Sequence, residues 1–161
     1  MMRWLNRLFA RGEPVLSEAS RRDAQSIAEL HAASFRRGWS DGEFEQLLGE
    51  RNVVVHRATR GRALDGFILS RIAAGEAEIL SVAVASSRRG RGLARTLLNL
   101  HLRRLAGLGT RAVFLEVDED NTPARRLYAR AGFHEVGRRP GYYQHAGNNA
   151  ATALVLRRDL A

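Results

Sequence analysis

Cysteine and lysine are both absent from this 161-residue chain, and proline occurs only three times. Without cysteine there is no disulfide, no thiolate metal site and no thiol nucleophile, a composition that fits a cytoplasmic setting. Without lysine, all 26 basic residues are arginines, and no glycine-rich phosphate loop closed by Lys-Ser or Lys-Thr exists. Long apolar runs are missing too. "MMRWLNRLFARGEP" opens the chain basic and partly apolar, but lacks the length of a membrane span and a signal-peptide cleavage site. Trp4, Leu5, Leu8 and Phe9 have helical spacing. Residues 1–13 are therefore read as an N-terminal extension that packs on the domain rather than entering a membrane.

What is present suits one domain, residues 14–161. Hydrophobic residues make up 45% of the chain, enough for a core and too many for wholesale disorder. The formal charge is +9, from 26 basic and 17 acidic residues. Such a balance favours polyanionic partners: RNA, an RNA-rich particle or a phosphorylated cofactor. Arginine-rich coding would give the same balance, so charge alone does not choose a function.

Two capping pairs, Ser20 with Asp23 and Ser40 with Glu43, predict two early helices joined by a loop carrying Trp39. "NVVVHRA", "LDGFILSRIA" and "GEAEILSVAV" predict three strands whose short connections favour antiparallel pairing. Leu93, Ala94, Leu97, Leu98, His101, Leu102 and Leu105 then form a helical stripe, stopped by "GLG". "RAVFLEV" is the next strand. Thr122 is the expected cap of a further helix, with Pro123 at its first position and Gly132 as its left-handed stop. "FHEVGRR" and "ATALVLRRDL" close the chain as strands around a Tyr/Gly/Asn-rich loop. The order predicts an α/β fold, a mixed sheet with helices on both faces.

"VASSRRGRGLA" (84–94) joins a buried-looking strand to the striped helix. A glycine turn entering a helix presents unpaired backbone N–H groups, and the helix dipole favours an anion there. Gly90 and Gly92 let the main chain approach a phosphate closely. The stretch is thus a pyrophosphate cradle, or else a basic solvated loop. Its two glycines are too few for a dinucleotide-binding fingerprint.

"EILSVAVASSRRGRGLARTLL" and "VFLEVDEDNTPARRLYARAGFHEVGRRPGYY" resemble the two halves of the GNAT acetyltransferase superfamily, over about residues 14–160. The cofactor motif falls on Arg89, Gly92 and Ala94. Within that superfamily the pattern is most similar to the bacterial ribosomal-protein alanine N-acetyltransferase branch. The resemblance implies a six- or seven-stranded sheet splayed at its centre to admit acetyl-CoA. It implies that Arg89, Gly90, Arg91, Gly92, Leu93 and Ala94 hold the cofactor's phosphates. Val82, Ala83 and Val84 would pair their main chain with pantetheine, and Asn121 would lie near that arm. Glu116 matches the general base, and Tyr128 matches the general acid facing the cofactor's sulfur.

The residues carry independent readings beside these. Glu116 shares a strand face with Ala112 and Phe114, opposite Val113, Leu115 and Val117. A carboxylate there, beside an apolar cleft, would be suited to proton abstraction, or it could simply pair with an arginine. Tyr128 could equally be an aromatic packed on the sheet, and Asn121 a helix cap. The resemblance implies an acceptor slot bordered by Trp39, Glu116, Tyr142 and Tyr143, and as its partner the N-terminal peptide of ribosomal protein S18. The run "AGNNAATALVL" departs from that branch, which has an acidic pair before the last strand. Acetylation of other N-termini or of small amines therefore stays open, as does a non-catalytic ribosome- or RNA-binding module. No nucleic-acid or membrane contact is required. His31, His56, His101, His134 and His145 are scattered and read as surface or packing residues, and no metal cluster is visible.

Overall fold

The computed structural model describes residues 12–35, 39–144 and 150–160, except for the side chains at 142–144 and 150. Most of the N-terminal extension, residues 145–149 with His145, and the side chains of Tyr142 and Tyr143 lie outside the described residues. The sheet has seven strands: β1 (Val15–Glu18), β2 (Val53–Arg60), β3 (Ala63–Ala73), β4 (Glu76–Val84), β5 (Ala112–Asp118), β6 (His134–Gln144) and β7 (Ala150–Asp159). Their order is β1-β2-β3-β4-β5-β7-β6. All neighbours are antiparallel except β4 and β5.

Helices α1 (Ala24–Ser34) and α2 (Asp41–Gly49) cover one face, where Ile27, Phe44, Phe67, Leu69 and Ala83 form a buried cluster. Helices α3 (Leu93–Gly107) and α4 (Thr122–Arg130) cover the other. There Leu97, Leu98, Leu105, Val113, Leu115, Tyr128 and Leu154 form the larger core. Both predicted capping pairs exist. Ser20 N–H donates to Asp23 Oδ2 at 2.8 Å, although the first turn, Arg21–Asp23, is a 3-10 turn leading into α1. Ser40 and Glu43 bond reciprocally at 2.8 and 3.2 Å, which fixes the start of α2.

The structure differs from the sequence reading at three elements. β1 was not anticipated: four residues, "VLSE", are too short to show an alternation. The cap of α4 is Asn121 rather than Thr122. Its Oδ1 accepts from Ala124 N–H at 3.3 Å, which puts Pro123 one position further into the helix. The segment "PGYYQ" is strand rather than loop, since β6 resumes pairing with β7 at Tyr143 and Gln144 after a register break.

Candidate active site

The site begins with a fault in the sheet. β4 and β5 pair over four residues only, from Glu76↔Ala112 to Ile79↔Leu115. Beyond that point β4 follows β3 as far as Val84, while β5 follows β7 as far as Asp118. The two strands diverge and leave a split in the middle of the sheet. A β-bulge sits where they part: Ser70 pairs with Ile79 and Leu69 with Ser81, so Leu80 has no partner on β3. Ala77 and Ile79 face α3 before the bulge, and Val82 and Val84 face it afterwards. The Ser81 hydroxyl is buried beside the bulge and has no hydrogen-bond partner among the described residues.

On the α3 face the split leads to the turn at 85–92. Gly90 and Gly92 have φ of +77° and +79°, and a Cβ at either would meet nothing within 4 Å. The main chain is thus bare on its open side. Thr96 N–H is the first to bond back, to Gly92 O at 3.1 Å, so the donors of Leu93, Ala94 and Arg95 point out of the helix start. This is a fitting cradle for a pyrophosphate. The arginines are more internally engaged than the sequence indicates. Arg88 Nε lies 3.8 Å from buried Asp65, which also pairs with Arg60 at 2.9 Å. Arg89 Nε donates to Val84 O at 3.1 Å, bracing the turn against the end of β4. Arg91 is exposed. Tyr128 is buried on this same face, edge-on to Phe133 at 5.7 Å. The Asn121 carboxamide is committed to its cap.

On the α2 face the split opens into a cleft of about 570 Å³. Trp39, Glu43, Leu47, Glu78, Leu80 and Glu116 are among its lining residues. Trp39 is held in place by stacking on His31 at 4.9 Å and by its backbone N–H donating to His31 Nδ1 at 3.3 Å. Burial lowers the pKa of His31, with Glu43 opposing, which keeps that nitrogen available as an acceptor. The expectation of an apolar setting for Glu116 is corrected: Glu43, Glu50, Glu78 and Arg71 share the cleft with it, and Arg71 Nη2 lies 3.4 Å from Glu50 Oε2. Glu116 Oε1 is paired with Arg139 Nη1 at 2.9 Å. Arg139 escaped the sequence reading because its partner lies more than twenty residues away, across an intervening strand. Glu116 and Tyr128 therefore approach the split from opposite faces.

The histidines are less scattered than they look. His56 and His101 meet at Nδ1···Nδ1 2.7 Å, and His101 Nε2 lies 2.6 Å from Ser70 Oγ, all buried between the sheet and α3. This is packing chemistry away from the split. Among the described residues no group of three or more potential ligands could hold a metal, and no helix is long and apolar enough to cross a membrane.

Residues 24–133 match the family model described as "Acetyltransferase (GNAT) family". The chain is 35% identical over 154 residues to an N-alpha-acetyltransferase RimI of Mycobacterium tuberculosis, covering 91% of this chain and 94% of that one. It is 27% identical over 142 residues to a [Ribosomal protein bS18]-alanine N-acetyltransferase of Haemophilus influenzae, covering 88% and 96%. The fold superposes on a crystal structure of the Escherichia coli ribosomal-protein-S18-alanine N-acetyltransferase with a TM-score of 0.86 at 22% identity, covering 92% and 94%. With its splayed sheet and bare glycine turn, the chain belongs to the GNAT family and is an acetyl-CoA-dependent N-acetyltransferase.

Proposed function

We propose that the acceptor is a protein N-terminal α-amine, specifically the N-terminal alanine of ribosomal protein S18. The carrying observation is the acid-lined cleft on the α2 face, in a chain whose net charge is +9. Glu43, Glu50, Glu78 and Glu116 outnumber the arginine of the lining, Arg71, and this local excess of carboxylate against the overall charge favours a cationic acceptor such as an α-ammonium. The names of the relatives supply the finer substrate. The departure before the last strand bears on how strictly that substrate is read.

Acetyl-CoA supplies an activated thioester, and transfer to an amine releases its thiol. The chain's own residues have separate duties. The N–H groups of Gly90, Arg91, Gly92, Leu93 and Ala94 hold the pyrophosphate, with the Arg89 side chain bracing their turn. The main chain of Val82, Ala83 and Val84, left unpaired by β5, aligns the acyl arm and polarises the carbonyl. Asn121 keeps α4, and with it Tyr128, in place. Glu116 takes a proton from the acceptor ammonium, and Tyr128 delivers one to the departing sulfur. Trp39 walls the acceptor side, and Tyr142 and Tyr143 follow Arg139 on β6 toward the same slot.

A peptide panel tests the substrate. With acetyl-CoA, peptides starting Ala-Arg should be acetylated faster than those starting Ser or Met, or carrying only an internal lysine. Turnover of small amines with no peptide acetylated would overturn the reading. Glu116→Gln and Tyr128→Phe should each lower thiol release about a hundredfold; undiminished rates would remove their roles.

A further inference from the structure

We infer that Arg139 is a positioning residue for Glu116, holding one carboxylate oxygen so that the other serves the acceptor amine. This rests on the reading of Glu116 as the base.

The contact is built by the register of three strands. Glu116 on β5 pairs with Val155 on β7, which pairs with Gly137 on β6. The next row on the same face is Asp118, Ala153 and Arg139. Arg139 is therefore one row further along than Glu116 and two strands away. Beside Val155, the residues between them are small: Gly137 has no side chain, and Ala153 is fully buried at the sheet surface. A long side chain can lie across this low stretch, and Arg139 Nη1 reaches Glu116 Oε1 at 2.9 Å. The β6 register breaks after Arg139, where Gly141 takes φ +72°. Arg139 is thus the last residue of the regular ladder and faces the split from its rim.

The neighbouring arginine shows that this pairing is specific. Arg138 points to the opposite face, where its Nη2 donates to Glu135 at 3.3 Å and its Nη1 lies 3.5 Å from Glu119. Two adjacent arginines thus serve two different carboxylate sets. One set lies outside the α4 face, and the other is the candidate base. Glu116 is only 20% exposed, while Arg139 is 58% exposed. The base is sheltered and its partner is reachable, so an incoming ammonium can share the carboxylate without a buried guanidinium having to move. The guanidinium takes Oε1, which limits rotation of the carboxyl group and leaves Oε2 as the second acceptor. Preset orientation of this kind raises the fraction of bound acceptors poised for proton transfer.

The test is a double-mutant cycle on the full chain, with an Ala-Arg peptide and acetyl-CoA. Arg139→Gln should lower kcat about tenfold with little change in KM for acetyl-CoA, and Arg139→Lys should recover part of the loss. In a Glu116→Gln background, Arg139→Gln should have no further effect on kcat, because Arg139 serves proton transfer through that carboxylate. Arg138→Gln, on the other face, should leave kcat unchanged, and thermal melts should report all variants folded. If Glu116→Gln lowers turnover about a hundredfold but Arg139→Gln leaves kcat intact, or the two effects add, positioning by Arg139 is overturned while the base assignment stands. If Glu116→Gln is fully active, the base assignment falls first and Arg139 loses its role with it.

Discussion

The two halves of the sheet differ in how much polar chemistry they bury. From β1 to β4 with α1 and α3, surface pairs such as Arg104 with Glu18 and Arg71 with Glu50 are joined by charged and polar side chains drawn inside: Asp23 against Arg57, Asp65 between Arg60 and Arg88, and His56 with His101 and Ser70. From β5 to β7 with α4, the ion pairs lie at the surface or at the cleft: Glu116 with Arg139, Arg138 with Glu135 and Glu119, and Arg157 with Asp159. The first half presents main chain to the split, through Val82–Val84 and the glycine turn. The second presents side chains. Internal polar ties suit a rim whose backbone must keep its place. Pairs at the cleft suit a rim whose carboxylate, on the proposed mechanism, exchanges partners during turnover.

Acid should break this contrast most strongly. Burial, with His56 beside it, lowers the His101 pKa from its usual 6.5 to about 3. Burial also lowers His56, with Glu18 opposing and Arg104 assisting. Below pH 6.5 the unfolded chain takes up protons that the folded pair refuses, so stability is full above that pH and falls progressively towards pH 3. Thermal melts should therefore decline on entering the histidine range, before carboxylates titrate. A flat Tm between about pH 7 and pH 5 would contradict this. Asp65→Ala comes next. Asp65 is 3% exposed and ties both Arg60 and Arg88, so its loss should cost about 3 kcal/mol and raise the KM for acetyl-CoA by loosening the turn. Denaturant melts and initial rates measure both, and a variant as stable as the parent would remove the distinction between the halves. Asp159→Ala should matter least. Its pair with Arg157 at 2.9 Å is at the surface, Arg157 keeps its place over the Phe114 ring, and the loss should shift stability by about 0.5 kcal/mol or less. A larger drop would show that the second half also relies on its ion pairs for folding.

Local signals were readable in the sequence, and distant ones were not. Ser20, Ser40, Gly92 and Gly132 each mark a helix end within a few residues, and the structure keeps all four marks. Asn121 and Thr122 are both competent caps one residue apart; only the chain's entry geometry decides between them. The split is legible only through the family resemblance and not in the segments themselves, because "GEAEILSVAV" and "RAVFLEV" are each continuous strands. What separates them is pairing with β3 and β7, a relation between segments far apart. Arg139 with Glu116 and His56 with His101 belong to the same class: their residues are visible, but their adjacency depends on register. The GNAT motif nevertheless singled out Glu116 and Tyr128, which stand on opposite faces of that split.

The bulge at Leu80 acts as a change of reading frame within a strand. Upstream of it the odd-numbered residues face α3, and downstream the even-numbered ones do. Deleting Leu80 would put Ile79 and Ser81 on successive rungs opposite Ser70 and Leu69, so the ladder with β3 would run regularly and Val82 and Val84 would still face α3. The bulge would go, and with it the bend and added twist that it gives β4 at the point where β5 parts from it. Length at this one position, more than residue identity, shapes the mouth of the split.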